Sequence, residues 1–326
     1  ALTLTTIVLA SLPPAPARAA SRVHTVTIGT LVGESKPETQ VWHFIRDKIE
    51  SRLPGHFAFR IVPNAALGVG EKELVEGMQL GSVSGAVTTI SPLSSFSPAA
   101  QILDLPFLLK DGAHLQRVLD GPLGDELKRD LEAKGFIVLG YVNYGVRYLF
   151  SKEAITSPEQ LAGKRVRSIP NRVHTKMWQA FNAQPVTLPI AETYNALSTG
   201  VVEAMDLNKS AYAALKLYEV VPYLNETAHI WASGAIHVSS EFWKRLDQEE
   251  QKVFAQAALE GAAHFNELIV KDEALAVAEA AKAGGHVVKI PDRSPWERAA
   301  QKVWEEFAPQ LGGLERIRAI HVSEDR

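Results

Sequence analysis

Residues 247–282, DQEEQKVFAQAALEGAAHFNELIVKDEALAVAEAAK, decide the fold because they form a helical pattern with almost no breaker. A helix of about 36 residues would run roughly 54 Å at 1.5 Å per residue, which is longer than one domain is wide. We therefore expect this helix to brace two lobes. Two helices meeting near Gly261 are the less favoured alternative, since Ala262, Ala263 and Leu268 continue the apolar face.

The chain before this helix alternates short β-like runs with amphipathic helical runs. Strands are predicted at 23–31, 57–63 and 83–89, with helices at 39–53 and 71–80 between them. This β-α-β-α-β order is typical of an open α/β sheet. The pattern continues with strands at 136–142, 146–150, 164–168, 185–188, 201–207 and 229–238, and with helices at 121–134, 172–181 and 190–197.

Composition narrows the class of protein. Of 326 residues, 22% are charged and 46% are apolar, which describes a soluble globular chain and excludes a disordered, collagenous or polytopic membrane protein. The formal charge of -3 is too balanced to favour nucleic acid as a partner. The chain has no cysteine, so it can form no disulfide, thiolate zinc site or cysteine nucleophile.

The first residues predict export. Residues 1–12 are apolar and uncharged, and prolines and an Ala17-Arg18-Ala19 cleavage pattern follow them. About a dozen residues are too few to cross a bilayer, which needs roughly 20. We interpret residues 1–19 as part of a secretory signal peptide, so the mature protein is expected to be exported, soluble and unanchored; a frayed or buried N-terminal segment is the alternative.

Motifs for catalysis and cofactor binding are missing from the sequence. It contains no H-E-x-x-H, G-x-S-x-G or P-loop motif. The nearest glycine match, at 68–73, lacks its third glycine, and Glu71 and Glu73 would repel a pyrophosphate, so a turn before a helix is expected there. The histidines are dispersed, and His174 is expected to be an exposed helix residue. We expect no metal, no cofactor and no catalytic residue.

Two arginines lie inside strand-like, half-buried stretches: Arg147 in NYGVRY (143–148) and Arg167 in GKRVRSIP (163–170). A guanidinium is always charged and is costly to bury unpaired, so an anionic group should meet each one. Residues 165 and 167 share one face of the predicted strand, and that face could aim Arg167 at a cleft. A structural salt bridge to Asp206, Glu192 or Glu203 is an equally open interpretation.

Several ordered blocks at matching spacing extend over nearly the whole mature chain. They are PNAALG (63–68), EGMQLG (76–81), LPF (105–107), YGVR (144–147), LAGKRVR (161–167), ETYNALSTGVVEA (192–204) and YEV (218–220). In these blocks the sequence resembles the solute-binding proteins of tripartite ATP-independent periplasmic (TRAP) transporters, the DctP family.

The resemblance implies an α/β periplasmic binding protein of two lobes, joined by a hinge and braced by the long helix. Lobe I would comprise 23–145 with 233–272, and lobe II 146–232 with 273–326. It implies a small organic acid as ligand, such as a C4-dicarboxylate, a hydroxy or keto acid, or a sugar acid such as a uronate. Arg167 matches the family arginine that holds the ligand carboxylate, and Arg147 matches a second family arginine. The implied partner is the membrane permease, and we expect a monomer.

Other ligand contacts are less directly implied. Asn208 stands one place away from the usual family asparagine and is a candidate donor to a hydroxyl or a second carboxylate. Asp206 is a candidate ligand contact or a structural partner of Arg167. Further candidates for the cleft, each with an ordinary turn or core role as the alternative, are Thr89, Ser91, Tyr194, Trp178 and Phe96.

Two rival functions follow from the same residues. One is a periplasmic enzyme acting on carboxylic acids, with Tyr194 or Asp104 as base, although no motif supplies a paired acid and base. The other is a ligand sensor that presents its closed form to a receptor. The favoured prediction is a binding protein without enzymatic activity.

Overall fold

The computed structural model describes residues 23–323, so the predicted signal segment at 1–19 lies outside the described residues. Within them, nine strands form one sheet. They are β1 (His24–Gly29), β2 (Phe57–Val62), β3 (Gly85–Thr89), β4 (Phe136–Ser151), β5 (Arg165–Ser168), β6 (Gln184–Thr187), β7 (Ala204–Leu207), β8 (Tyr223–Ser239) and β9 (His286–Val288).

The strand order is β2-β1-β3-β8-β4-β7-β5-β6, with β9 beside one end of β8. Strands β1, β2 and β3 pair in parallel, as the predicted β-α-β-α-β unit requires. Strands β5, β6 and β7 form a second parallel group. The antiparallel pair of β4 and β8 joins the two groups. The expected mixed α/β sheet with two halves is confirmed.

Strands β4 and β8 are the two connections between the halves, and each is longer than the sequence predicted. The predicted strands at 136–142 and 146–150 are a single strand, β4, whose register against β8 shifts between Asn143 and Val146. Gly145 lies inside this irregularity with φ 92°, a left-handed conformation that favours glycine. The bulge explains why the alternating pattern was broken there.

We expect Gly145→Ala to lower the free energy of unfolding by about 1–3 kcal/mol, because alanine is strained at this φ and its Cβ would lie 2.5 Å from Glu273 Oε1. Gly55→Ala is the matched control, since Gly55 has φ 78° but no heavy atom within 4 Å of the added Cβ. Urea unfolding measures both. Equal losses in the two variants would show that the close approach to Glu273 costs nothing.

Eleven α-helices cover the sheet in residues 23–323. They are α1 (Pro37–Arg52), α2 (Glu71–Gln79), α3 (Gly112–Asp120), α4 (Pro122–Ala133), α5 (Arg172–Ala180), α6 (Ile190–Ser198), α7 (Lys209–Ala214), α8 (Ser240–Trp243), α9 (Gln248–Lys282), α10 (Ser294–Phe307) and α11 (Leu314–His321). None of these has both the length and the apolar character that crossing a bilayer requires.

Helix α9 runs without interruption from Gln248 to Lys282, so the alternative of two helices meeting near Gly261 is wrong. Asp247 begins it as an N-cap, with its side chain accepting from the Glu250 backbone N–H at 2.9 Å. Phe254 and Phe265 pack in the core around α1 and β1, whereas Ala276 and Ala280 pack in a separate core with α7. The helix therefore braces two cores, as its length predicted.

Candidate ligand-binding site

A cavity lies where the parallel strands of both halves end. Its wall includes residues at or just after the carboxyl ends of β1, β3, β5 and β7, which is where open α/β sheets bind ligands. Strand β4 contributes Tyr144 and Arg147 from the crossing between the halves. The empty space between these residues amounts to about 1010 Å³, a volume that includes open solvent.

Arg167 enters this cavity from β5, two residues after Arg165 on the same face of the strand. Arg165 is exposed and pairs with Glu203 at 3.7 Å, while Arg167 points inward and is only 2% exposed. Arg167 Nε donates to the Leu188 carbonyl at 3.0 Å. Arg167 Nη1 is buried without a hydrogen-bond partner among residues 23–323. Burial and the nearby charge of Arg147 lower the pKa of Arg167 to about 10.

The buried carboxylate of Asp206 pairs with Arg147 rather than with Arg167. Arg147 Nε donates to Asp206 Oδ2 at 2.5 Å, and Nη2 donates to the Asp206 carbonyl at 3.0 Å. Burial alone would raise the pKa of Asp206, but the charge of Arg147 and the hydrogen bond from His229 hold it well below its usual range. Both arginines line the cavity, yet only Arg147 brings its own counterion.

A buried polar network supports this pair. Burial lowers the pKa of His229, whose Nε2 lies 3.2 Å from Asp206 Oδ2 and whose Nδ1 lies 2.8 Å from the Thr227 hydroxyl. His174 Nε2 lies 3.4 Å from Asp104 Oδ1, and its Nδ1 lies 3.9 Å from Asp206 Oδ2. The expectation of an exposed His174 is therefore wrong, because the residue is completely buried between two carboxylates.

The predicted hydroxyl and amide candidates line the cavity, each engaged with the protein. The backbone N–H of Thr89 donates to Glu71 Oε1 at 2.7 Å, and its hydroxyl donates to Glu71 Oε2. The Ser91 hydroxyl donates to Asp104 at 2.6 Å. Asn208 caps α7 by accepting from the Ala211 N–H at 2.8 Å, and it donates to the Tyr144 carbonyl at 2.6 Å. The Asn208 amide nitrogen carries a second N–H donor.

Residues 28–310 match the family model for bacterial extracellular solute-binding protein, family 7, named DctP. The chain belongs to the DctP family. A solute-binding protein of Verminephrobacter eiseniae is 31% identical to this DctP-family protein, over 83% of the chain and 82% of that relative. The C4-dicarboxylate-binding periplasmic protein DctP of Shewanella loihica is 26% identical, over 86% of the chain and 84% of that protein.

Solved structures agree with this membership. The TRAP periplasmic solute-binding protein of Polaromonas sp. JS666, bound to D-erythronate, is 28% identical to the DctP-family chain. Its structure matches with a TM-score of 0.88, over 93% of this chain and all of the other. The two-lobed TRAP resemblance drawn from the sequence blocks is thereby confirmed.

Some sequence candidates lie outside the cavity of this DctP-family protein. The Tyr194 hydroxyl donates to Glu219 at 2.6 Å, and Asp206 lies behind Arg147 with no exposed surface. Trp178 is completely buried in the core, and Phe96 packs against that core. The structure therefore gathers Arg167, Arg147, Asn208, Thr89 and Ser91 around the cavity, without Tyr194 and Asp206.

The three acidic residues of the wall, Glu38, Glu71 and Glu73, were not predicted to line a ligand cavity. Glu38, in the first turn of α1, is 5% exposed, and its Oε2 has no hydrogen-bond partner in the described part of the chain. Burial raises the pKa of Glu38 to about 7. Glu71 begins α2, and burial raises its pKa although Thr89 and both arginines oppose the shift. Acidic residues are ordinary in a first helical turn, so no feature of the local sequence indicated that these side chains are buried.

Proposed function

We propose that this protein captures a small organic acid outside the cytoplasm and delivers it to the membrane permease of a TRAP transporter. One observation carries the proposal: Arg167 is a buried guanidinium that faces the cavity with Nη1 unpaired. An unpaired buried cation is costly, and a ligand carboxylate would supply the missing charge and accept two hydrogen bonds from the planar fork.

The ligand class is supported by the cavity and by the relatives. C4-dicarboxylates, hydroxy or keto acids, and sugar acids such as uronates all carry the carboxylate that Arg167 lacks. The Polaromonas neighbour holds D-erythronate, and the Shewanella relative is named for C4-dicarboxylates. Micromolar capture needs about 8 kcal/mol, which one desolvated charge pair, several hydrogen bonds and apolar closure can provide.

Domain closure is part of the proposal. The proposed lobes are 23–145 with 233–272 and 146–232 with 273–326, and the register shift of β4 between Asn143 and Val146 supports a hinge at the crossing strands. Closing the lobes would exclude water and strengthen the pair between Arg167 and the ligand. We propose that the protein acts in the periplasm as a monomer after removal of its signal peptide, without turning over the acid.

A thermal-shift screen over organic acids tests the function. We expect at least one acid to raise the melting temperature by about 5 °C or more at a thousandfold excess over Kd. Small-angle scattering should show a smaller radius of gyration with that acid, and mass spectrometry should recover it unchanged. No shift with any acid would contradict the binding role, and conversion of the bound acid would point to an enzyme.

A further inference from the structure

Three acidic side chains, Glu38, Glu71 and Glu73, line the same cavity as Arg167. Glu71 accepts two hydrogen bonds from Thr89, so its carboxylate is held in place. Glu38 is only 5% exposed, and its Oε2 lacks a hydrogen-bond partner within residues 23–323. A buried unpaired oxygen of this kind needs a donor.

Among the described residues of the wall, one buried positive charge is available to pair with a ligand carboxylate. Asp206 already neutralises Arg147, whereas Arg167 has no carboxylate within ion-pair distance among the described residues. Lys72 also borders the cavity, but its side chain is 46% exposed and pairs with Glu76 at 3.5 Å. Arg167 is therefore the one buried cation of the wall that lacks a counterion in the described chain.

A second ligand carboxylate on the side of the wall formed by Glu38, Glu71 and Glu73 would lie close to their negative charges. Like charges brought together in a desolvated site cost free energy, and the carboxylate could not donate to Glu38 Oε2. A ligand hydroxyl carries no charge and can donate to that oxygen.

We propose that the cavity selects hydroxylated monocarboxylates over dicarboxylates, with Glu38 and Glu71 as the residues that impose the choice. The proposal rests on the proposed function, since Arg167 must hold the first carboxylate. Glu38 would receive a hydrogen bond from a ligand hydroxyl, and Glu71 would keep a second negative charge out of that end of the cavity.

Calorimetric titration with two four-carbon acids tests this selection. D-Erythronate has one carboxylate with hydroxyls, and succinate has two carboxylates without them. At pH 8, above the Glu38 pKa of about 7, we expect D-erythronate to bind at least 100-fold more tightly. Glu38→Gln and Glu71→Gln should each narrow this ratio at least tenfold, mainly by improving succinate binding.

Glu76→Gln is the matched control, because it removes one negative charge from the same helix as Glu71 at a position outside the cavity. The ratio should stay unchanged in that variant. Melting curves without ligand establish that each variant is folded.

Succinate binding as tight as D-erythronate binding would overturn the selection and leave the proposed function standing. Unchanged ratios in both glutamine variants would overturn the assignment to Glu38 and Glu71. If the parent protein binds neither acid nor any other acid of the screen, the proposed function and the selection are overturned together.

Discussion

Replacing Arg167 by alanine is expected to weaken organic-acid binding by about 30-fold or more, so that at about a thousand times the parent Kd the stabilisation by ligand falls to about half or less. Truncating one partner of a buried, hydrogen-bonded charge pair costs about 2–5 kcal/mol, and each 1.4 kcal/mol is a factor of ten in Kd. Arg147 cannot take over this role, because Asp206 already holds its charge. Calorimetric titration of parent and variant with the acid found in the screen measures the loss.

The same substitution should leave the ligand-free fold nearly as stable as before. It removes the hydrogen bond from Arg167 Nε to the Leu188 carbonyl, which contributes about 1 kcal/mol. It also removes a buried cation whose charged form is disfavoured, as its lowered pKa of about 10 indicates. These effects oppose one another, so urea unfolding should show a change within about 1 kcal/mol.

Two further variants distinguish the planar pair of donors of the Arg167 guanidinium from its positive charge. Arg165→Ala alters an exposed arginine at the first position of β5 and should change Kd by less than about twofold. Arg167→Lys keeps a charge but loses the planar pair of donors, so an intermediate affinity is expected. Parental affinity in Arg167→Ala would contradict the role of this residue in binding.

The sequence was most informative where one physical constraint acted alone. Residues 247–282 lack helix breakers, so their length predicted one bracing helix, and α9 has that form. Arg167 could be recognised because a permanently charged side chain stood in a buried, alternating strand. Residues 165 and 167 share one face of the strand, and the sequence did not show that Arg165, at the first position of β5, is exposed while Arg167 is buried.

The sequence was less informative where distant strands meet. Asp206 was considered a partner of Arg167, but β4 and β7 pair so that Leu149 lies opposite Asp206, which brings that carboxylate beside Arg147. Antiparallel register between strands more than fifty residues apart cannot be read from periodicity alone. The burial of Glu38 likewise depends on tertiary packing, because it follows from where α1 lies in the fold. Its local sequence resembles that of any helix with an acidic first turn.

Replacing Asp206 by asparagine is expected to lower the free energy of unfolding by about 3–5 kcal/mol, because it leaves the buried Arg147 guanidinium without its counterion. Asparagine keeps the shape of the side chain, so the loss comes from charge more than from packing. Urea unfolding of the ligand-free protein measures it. Glu203→Gln is the control: its partner Arg165 is exposed, so about 0–1 kcal/mol is expected there.

The pH dependence of this difference identifies its origin. The pKa of Asp206 in the folded protein lies well below its usual value, so its contribution is present above about pH 4 and is lost as pH falls through the folded pKa. The difference in unfolding free energy between parent and Asp206→Asn should therefore narrow in acid.

The double variant Arg147→Met/Asp206→Leu removes both charges and should be more stable than Asp206→Asn alone. A single variant that loses less than about 1 kcal/mol at pH 7, or a gap that persists unchanged in acid, would show that the ion pair does not stabilise the crossing strands.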